Sequence, residues 1–292
     1  MGSEMCIRDR YQDGGFTRFD AIDKTKEYGC QGVELVLDDK TPDGSTPMEY
    51  AKALYAHAKE QGLEVPIYTT GANFFVKEPE KELERLCRHI DIAAECKIPL
   101  LRHDVAWGYY EGYTGIKSYK KVIEAVAPFV RQAAEYARER GVKTCSENHG
   151  YLLQDSARML ELFAAVDHPN YGFLCDMGNF TVVDEDCATA VSALSDYIVH
   201  VHAKDMLVRS GMNFDPGKGY NLSRGGNYWR GTIFGHGNVP TFQILSAIRK
   251  SGYDGYVSLE FEGMEPVLEG VEIGTQNLQH MIKVIGEGQR YV

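Results

Sequence analysis

From residue 32 onward, short apolar or β-branched runs alternate with longer stretches of helical period, the pattern of parallel strands joined by crossover helices. Seven runs read as strands: "GVELVL" (32–37), "LEVPIY" (63–68), "IPLLRH" (98–103), "VKTCSE" (142–147), "YGFLCD" (171–176), "YIVHVH" (197–202) and "YVSLEF" (256–261). The stretches between them carry helix signals. "STPMEYAKALYAHAKEQG" opens on a Ser/Thr cap with Pro in its first turn and stops at Gly, and "YKKVIEAVAPFVRQAAEYARERG" ends on basic residues and Gly. A helix over "FTRFDAIDKTKEYG" precedes the first of the seven strands, the wrong order for a chain of βα units. A closed barrel of this kind needs eight strands. The pattern therefore predicts an α/β protein, a (β/α)8 TIM barrel whose first strand is missing or degenerate, with only "MCIRD" as a weak candidate ahead of residue 17. A seven-stranded or open sheet would also account for that order, but every later unit has ordinary βα length.

One connection departs from the rhythm. Residues 206–239 form a long glycine-rich insertion in what is otherwise a single barrel domain over 17–292, and a structureless loop of that length is usually functional. Residues 1–16 stand apart: "MGSEMCIRDR" lacks the apolar core of a secretory signal and looks truncated or foreign to the rest of the chain.

Charge narrows the partners. Forty-two acidic against 31 basic residues give a net charge of -11, which repels a phosphate backbone and argues against nucleic acid. No uncharged stretch approaches the roughly 20 apolar residues of a membrane span. The 7 cysteines include no C-x-x-C pair and fall mostly in apolar runs, so reduced thiols and a cytoplasmic location are expected. No phosphate-cradling glycine motif follows a strand, so a nucleotide is not indicated.

The active site of a parallel barrel lies at the carboxyl ends of its strands. There Glu147 closes "VKTCSE", Asp176 closes "YGFLCD", His202 closes "YIVHVH" and Glu260 lies near the end of "YVSLEF". Three carboxylates and an imidazole make a mixed oxygen and nitrogen site for a divalent cation, Mn²⁺ or Mg²⁺ by its carboxylates, with Co²⁺ or Zn²⁺ admitted by the imidazole. A capped strand end or a core hydrogen bond would explain any one of them; recurrence on four strands points to a site.

Alternation sets the neighbours. His200 shares the inward face with His202 but lies about 6.5 to 7 Å away along the strand, too far for one ion, so His202 is the ligand at the mouth and His200 belongs to the core one layer down. Lys204 continues inward toward charge developing on a substrate, Asp205 turns away, and Cys145 sits one layer below Glu147. On the fourth strand Arg102 is the inward choice with Asp104, and His103 takes the other face unless it reaches the mouth as the strand ends. Trp107, followed by Tyr109, Tyr110 and Tyr113, and Arg230 beside Tyr228 and Trp229 suit the faces and hydroxyls of a sugar, although a packing rim or subunit interface explains them equally. His236 in "GHGNV" carries the same two readings. His149 in "ENHG" is a rival base near neutral pH or a loop histidine bonded to backbone. Glu34 and Glu262 also fall near strand ends.

In this order "GVEL", "SENHG", "CDMGNF", "HVHAKD", "GHGNV" and "GYVSLEFEG" resemble the sugar phosphate isomerase/epimerase family with its xylose isomerase-like barrel, over roughly residues 17–286. The resemblance implies one divalent cation, Mn²⁺ foremost, held by Glu147, Asp176, His202 and Glu260. It implies that Glu147 and Glu260 are also the acid/base pair on opposite faces of the substrate carbon. Many relatives hold the substrate with a His three residues after this Asp; here Asn179 keeps a hydrogen-bonding group and removes a titratable one. The expected activity is isomerisation or epimerisation of a ketose, inosose or keto-sugar through an enediolate, with Lewis-acid stabilisation of the oxyanion and a carboxylate on each face to move the proton. The alternatives are the large subunit of a C-glycoside-cleaving lyase, an abasic-site endonuclease, which the charge opposes, and a binding protein without catalysis. The implied partners are a small carbohydrate-like substrate and, for the chain itself, a second copy or a small partner subunit, with neither nucleic acid nor membrane.

Overall fold

The computed structural model describes residues 2–6, as backbone, and 16–287. Eight parallel strands close a barrel in the order β1 (Gly2–Cys6), β11 (Tyr256–Leu259), β7 (Ile198–Ala203), β6 (Tyr171–Asp176), β5 (Lys143–Glu147), β4 (Leu100–His103), β3 (Ile67–Thr70) and β2 (Gly32–Val36). The first strand is therefore not missing. Gly2–Cys6 pairs with β11 on one side, Gly2 opposite Tyr256, and with β2 on the other, Glu4 opposite Gly32. Its "GSEMC" has no β-branched residue and little apolar pattern, which fits the expectation of a degenerate strand. Of the faint candidate "MCIRD", only Met5 and Cys6 lie in the strand and the rest lies outside the described residues.

Eight helices surround the barrel: α1 (Arg18–Glu27), α2 (Pro47–Glu60), α3 (Pro79–Glu95), α4 (Tyr119–Arg138), α5 (Ser156–Val166), α6 (Cys187–Leu194), α7 (Thr241–Lys250) and α8 (Val267–Gly286). Reciprocal capping boxes, Thr17 with Asp20 and Thr46 with Glu49, start α1 and α2. Strand limits shift where Pro intervenes. The strand expected over 63–68 begins only at Ile67, because Pro66 offers no N–H to a ladder, and the one expected from 98 begins after Pro99.

The insertion is not a structureless loop. Its stems form an antiparallel sheet, β8 (Asp205–Arg209), β10 (Tyr228–Thr232) and β9 (Asn221–Leu222), with β10 in the middle. Gly231 bridges Gly263, so the sheet lies against the segment that leaves β11 at the barrel mouth.

The core has two parts. The larger apolar cluster lies between barrel and helices and includes Cys175, while a small plug of Ile67, Leu100, Cys145 and Leu174 fills the barrel floor. Above that plug the interior becomes polar. The β6–β7 pairing carries a bulge that sets the height of the polar residues there: Phe173 pairs with Ile198, but Leu174 pairs with His200 and Asp176 with His202. Val199 is the extra residue and packs onto the floor plug. Without the bulge the register would place Val201 beside Asp176.

Gly172 leaves room for it, since a Cβ there would lie 2.6 and 2.9 Å from the two methyls of Val199. Gly172→Ala is expected to destabilise the fold by about 1–3 kcal/mol through overpacking, read as a lower midpoint at unchanged slope in urea unfolding.

Candidate metal centre

The four strand-end residues meet. Glu147 from β5, Asp176 from β6, His202 from β7 and Glu260 just past β11 each offer one ligand atom, and these atoms lie within 4.8 Å of one another, all buried. Strand order sets the approach: β6 and β7 stand between β5 and β11, so the two glutamates enter from opposite sides of Asp176 and His202.

Each member is held by identifiable bonds. Glu147 Oε2 lies 2.6 Å from Arg102 Nη2, and Glu147 Oε1 accepts from Asn179 Nδ2 at 2.8 Å. Asp176 Oδ1 accepts the backbone N–H groups of Gly178 and Asn179 at 2.8 and 3.0 Å. Its Oδ2 has no hydrogen bond and only an ion contact with Lys204 Nζ at 2.9 Å. Lys204 also reaches Glu260 Oε2 at 2.8 Å and Glu262 Oε2 at 3.4 Å. Asn148 ties the ends of β5 and β6, donating to Asp176 O and accepting from Asp176 N, both at 3.0 Å.

His202 stands between two carboxylates, with Nε2 at 2.9 Å from Glu34 Oε2 and Nδ1 at 3.1 Å from Glu260 Oε2. Burial alone would lower the imidazole pKa, but Glu34 and Glu260 outweigh it and raise the value well above the ordinary one. For Glu34 burial likewise acts upward and is overcome, chiefly by His202, so its pKa falls to about 2. Both ring nitrogens face carboxylates; once Nδ1 gives up its proton, Glu34 retains the N–H on Nε2 and Nδ1 is the nitrogen turned to the cluster, the carboxylate–histidine arrangement found behind metal ligands.

The charge is unbalanced. Five buried carboxylates, Glu34, Asp104, Glu147, Asp176 and Glu260, crowd the cations Arg102 and Lys204 and the imidazole of His202, so negative charge is in surplus even with that ring counted as positive. Burial, with Glu260 and Glu147 adding to it, raises Asp176 to about 7 despite Lys204. Oxygen-rich donors, one imidazole nitrogen turned to the cluster and surplus negative charge fit a divalent cation.

Behind this layer His200 Nε2 is 2.7 Å from Ser258 Oγ, and burial lowers its pKa to about 3, as a core histidine requires. The two histidines are closer than strand spacing implies, with ring centroids 5.8 Å apart, because the side chains lean together. Glu34, His200 and His202 also bring ligand atoms within 4.8 Å, so separation alone does not bar a shared ion. Bonding separates them: His200 is engaged by Ser258, and Glu34 by His202 and Thr69.

The remaining expected residues divide. Arg102 points inward, pairing Glu147 and, through both terminal nitrogens, Asp104. Asp104 Oδ1 is also 3.1 Å from His149 Nδ1 at the half-buried rim, which makes that nitrogen the donor and leaves Nε2 open. Trp107 is 61% exposed over Gly71 at the exit of β3. Asn179 is spent within the cluster, on Glu147 and, at 3.3 Å, on Lys204.

His103 does not reach the mouth. It lies between Phe74 and Tyr171 on the helix-facing side, its Nδ1–H donating to Asp104 O at 2.8 Å, because alternation with the inward Arg102 turns it out. His236 is exposed on a turn whose neighbours Phe234 and Gly235 pack on Asn277 of α8, outside the cluster. Arg230 is 3.4 Å from Glu265, which Thr232 also bonds. Tyr109, Tyr110 and Tyr113 gather around Phe75, with centroids 5.9, 5.6 and 5.3 Å away, as a packing cluster. Sequence reading undervalued Glu34 and passed over Asn148; the polar end of "GVEL" was a signal for the first, and nothing marked the second.

Comparison with known proteins places the fold. The family model described as the xylose isomerase-like TIM barrel matches residues 22–284. An inosose dehydratase of Lacticaseibacillus casei is 29% identical over 141 residues, 48% of this chain and 47% of that protein, so the chain spans about half the length of this relative. A xylose isomerase domain protein from Planctomyces limnophilus superposes with a TM-score of 0.73 at 17% identity, covering 98% of each chain. D-Psicose 3-epimerase from Clostridium cellulolyticum H10, solved with D-tagatose, superposes at 0.71 and 17% identity over 98% of this chain and 99% of the other. With its closed eight-stranded barrel and a matched span covering nearly the whole chain, the protein belongs to the xylose isomerase-like TIM-barrel family.

Proposed function

We propose that the chain is a divalent-metal-dependent enzyme that moves a proton next to the carbonyl of a ketose, inosose or keto-sugar, as an isomerase or epimerase. The observation that carries this reading is the pair of glutamates entering one buried cluster from opposite sides, each held by its own cation. Glu147, Asp176, His202 and Glu260 would hold the ion, Mn²⁺ foremost, which supplies Lewis-acid stabilisation of a developing oxyanion.

The chain's residues do the rest. Glu147 and Glu260 accept and return the proton on the two faces of the carbon. Arg102 keeps Glu147 ionised: burial pushes its pKa up, Arg102 outweighs that, and the net shift is downward. His149, with Nε2 open at the rim, is a second proton acceptor, and Trp107 and Arg230 contact the sugar. The protein acts on a small carbohydrate-like molecule in the cytoplasm. Among the described residues no helix is long and apolar enough to cross a membrane.

A second reading is elimination of water, favoured by the inosose dehydratase relative and by Lys204. Its ammonium, beside Glu260 and Glu262, can protonate a departing hydroxyl after the same proton abstraction.

Deuterium in the medium separates these readings. In D2O with Mn²⁺ and a panel of ketoses, keto-sugars and inososes, NMR should show deuterium at the carbon beside the carbonyl together with an isomer or epimer; an unsaturated, dehydrated product favours elimination. No incorporation with Mn²⁺, Mg²⁺, Co²⁺ or Zn²⁺ overturns both. Glu147→Gln and Glu260→Gln should each slow turnover by about 10²–10⁴-fold.

Proton linkage gives a test that needs no substrate. Because Asp176 is raised from 3.8 to about 7, the folded protein binds the extra proton, and its contribution to stability is lost as pH rises through about 7. A bound cation removes that penalty. Mn²⁺ is therefore expected to raise the thermal midpoint more at pH 8 than at pH 5 relative to EDTA-treated protein. Glu34→Gln should weaken Mn²⁺ binding by about 10–100-fold in calorimetry, since it disturbs the orientation of His202 without removing a ligand.

A further inference from the structure

Asp205 is 1% exposed. Both oxygens of its carboxylate are bonded to backbone N–H groups, whereas in the cluster Asp176 has backbone donors on Oδ1 alone. Asp205 Oδ1 accepts the N–H groups of Met206 at 2.8 Å and Val239 at 3.2 Å, and its Oδ2 accepts those of Gly235 at 3.0 Å and Gly237 at 2.8 Å. Those donors belong to both ends of the insertion, one where the chain leaves the barrel and three where it returns toward α7. Asn238 adds a second tie, its N–H donating to Met206 O at 2.7 Å and its side-chain oxygen accepting from Val208 N at 2.8 Å.

The turn is shaped around the carboxylate. A Cβ on Gly237 would lie 2.0 Å from Asp205 Oδ1, and Gly235 adopts φ +89°, a conformation that disfavours other residues. The residue immediately before this knot is Lys204, whose ammonium stands among Asp176, Glu260 and Glu262. On its other flank Ala203 O is held by Glu260 N at 3.1 Å, and a Cβ on Gly178 would come within 2.9 Å of Lys204 O. The backbone of Lys204 is thus gripped from the barrel side by neighbouring strands and from the insertion side by Asp205.

We propose that Asp205 is a positioning residue: by closing the insertion into a loop at its base, it holds Lys204 in the cluster. The loop and the lysine are then one unit, and opening the knot releases the ammonium from its buried place. The inference stands on the geometry of the knot and does not depend on the reaction proposed above.

Lysine acetylation with an N-hydroxysuccinimide ester, read residue by residue by mass spectrometry on the whole chain at one fixed pH, tests it. In the unmodified protein Lys204, 1% exposed, should stay protected while Lys120 on the surface reacts. In Asp205→Asn, which turns an acceptor oxygen into an amide facing N–H donors, Lys204 should react about 10–100-fold faster. Lys120 should be unchanged, and Cys145 on the barrel floor should stay closed to iodoacetamide. Gly237→Ala attacks the knot from the returning stem and should give the same selective exposure; it carries the test if Asp205→Asn does not fold. Two outcomes overturn the inference. In one, Lys204 stays protected while amide exchange over 206–239 accelerates, so the knot serves the loop alone. In the other, Lys204 and Cys145 open together, so Asp205 serves the whole barrel.

Discussion

Everything at the mouth of this barrel depends on how five buried carboxylates are kept together. Coulombic repulsion among charges a few ångströms apart in a low-dielectric interior is large, and burial adds a desolvation cost for each. Arg102, Lys204 and His202, whose pKa Glu34 and Glu260 raise, offset part of it. The remainder shows in Asp176, whose proton is retained to about pH 7, and in an oxygen of that carboxylate with an ion contact but no hydrogen bond. A polar layer of this kind over an apolar floor carries surplus negative charge, the electrostatic condition under which a cation would be bound.

The scaffold answers that constraint with dedicated supports around the cluster. Asn148 zips the ends of β5 and β6, Asn179 divides its amide between Glu147 and Lys204, and Glu34 orients His202 from the far side of the ring. None of these supports comes from the eight outer helices: Glu34 lies on β2, Asn148 directly follows β5 and Asn179 opens a short 3-10 turn after β6, so the precision of the site rests on how the strands align.

That dependence explains which parts were legible in the amino-acid order. Strand ends are visible because apolar runs stop at Glu147, Asp176 and His202, and period-two alternation sorted Arg102 from His103 and set Cys145 one layer below Glu147. The same alternation misjudged the distance from His200 to His202, since it counts backbone spacing and ignores the lean of the rings. It could not see the sheet formed by β8, β9 and β10 either, because β9 has two residues and the five-residue β8 and β10 flank a glycine-rich stretch that hides their pairing. The eighth strand lacked signal for a related reason: it is recognisable by its partners, β11 and β2, rather than by its own residues.

The barrel class, the four polar residues that end their strands at one mouth and the acidic character that disfavours nucleic acid could all be read from the residue order, because each follows from local period or from composition. That His202 stands level with Asp176 came only from the packed strands, through a one-residue bulge at Val199 that Gly172 accommodates. They alone decided that Glu34, 168 positions away along the chain, is the partner of His202. Such pairings are set by how strands close around a shared interior, a relation between distant segments that no local pattern encodes.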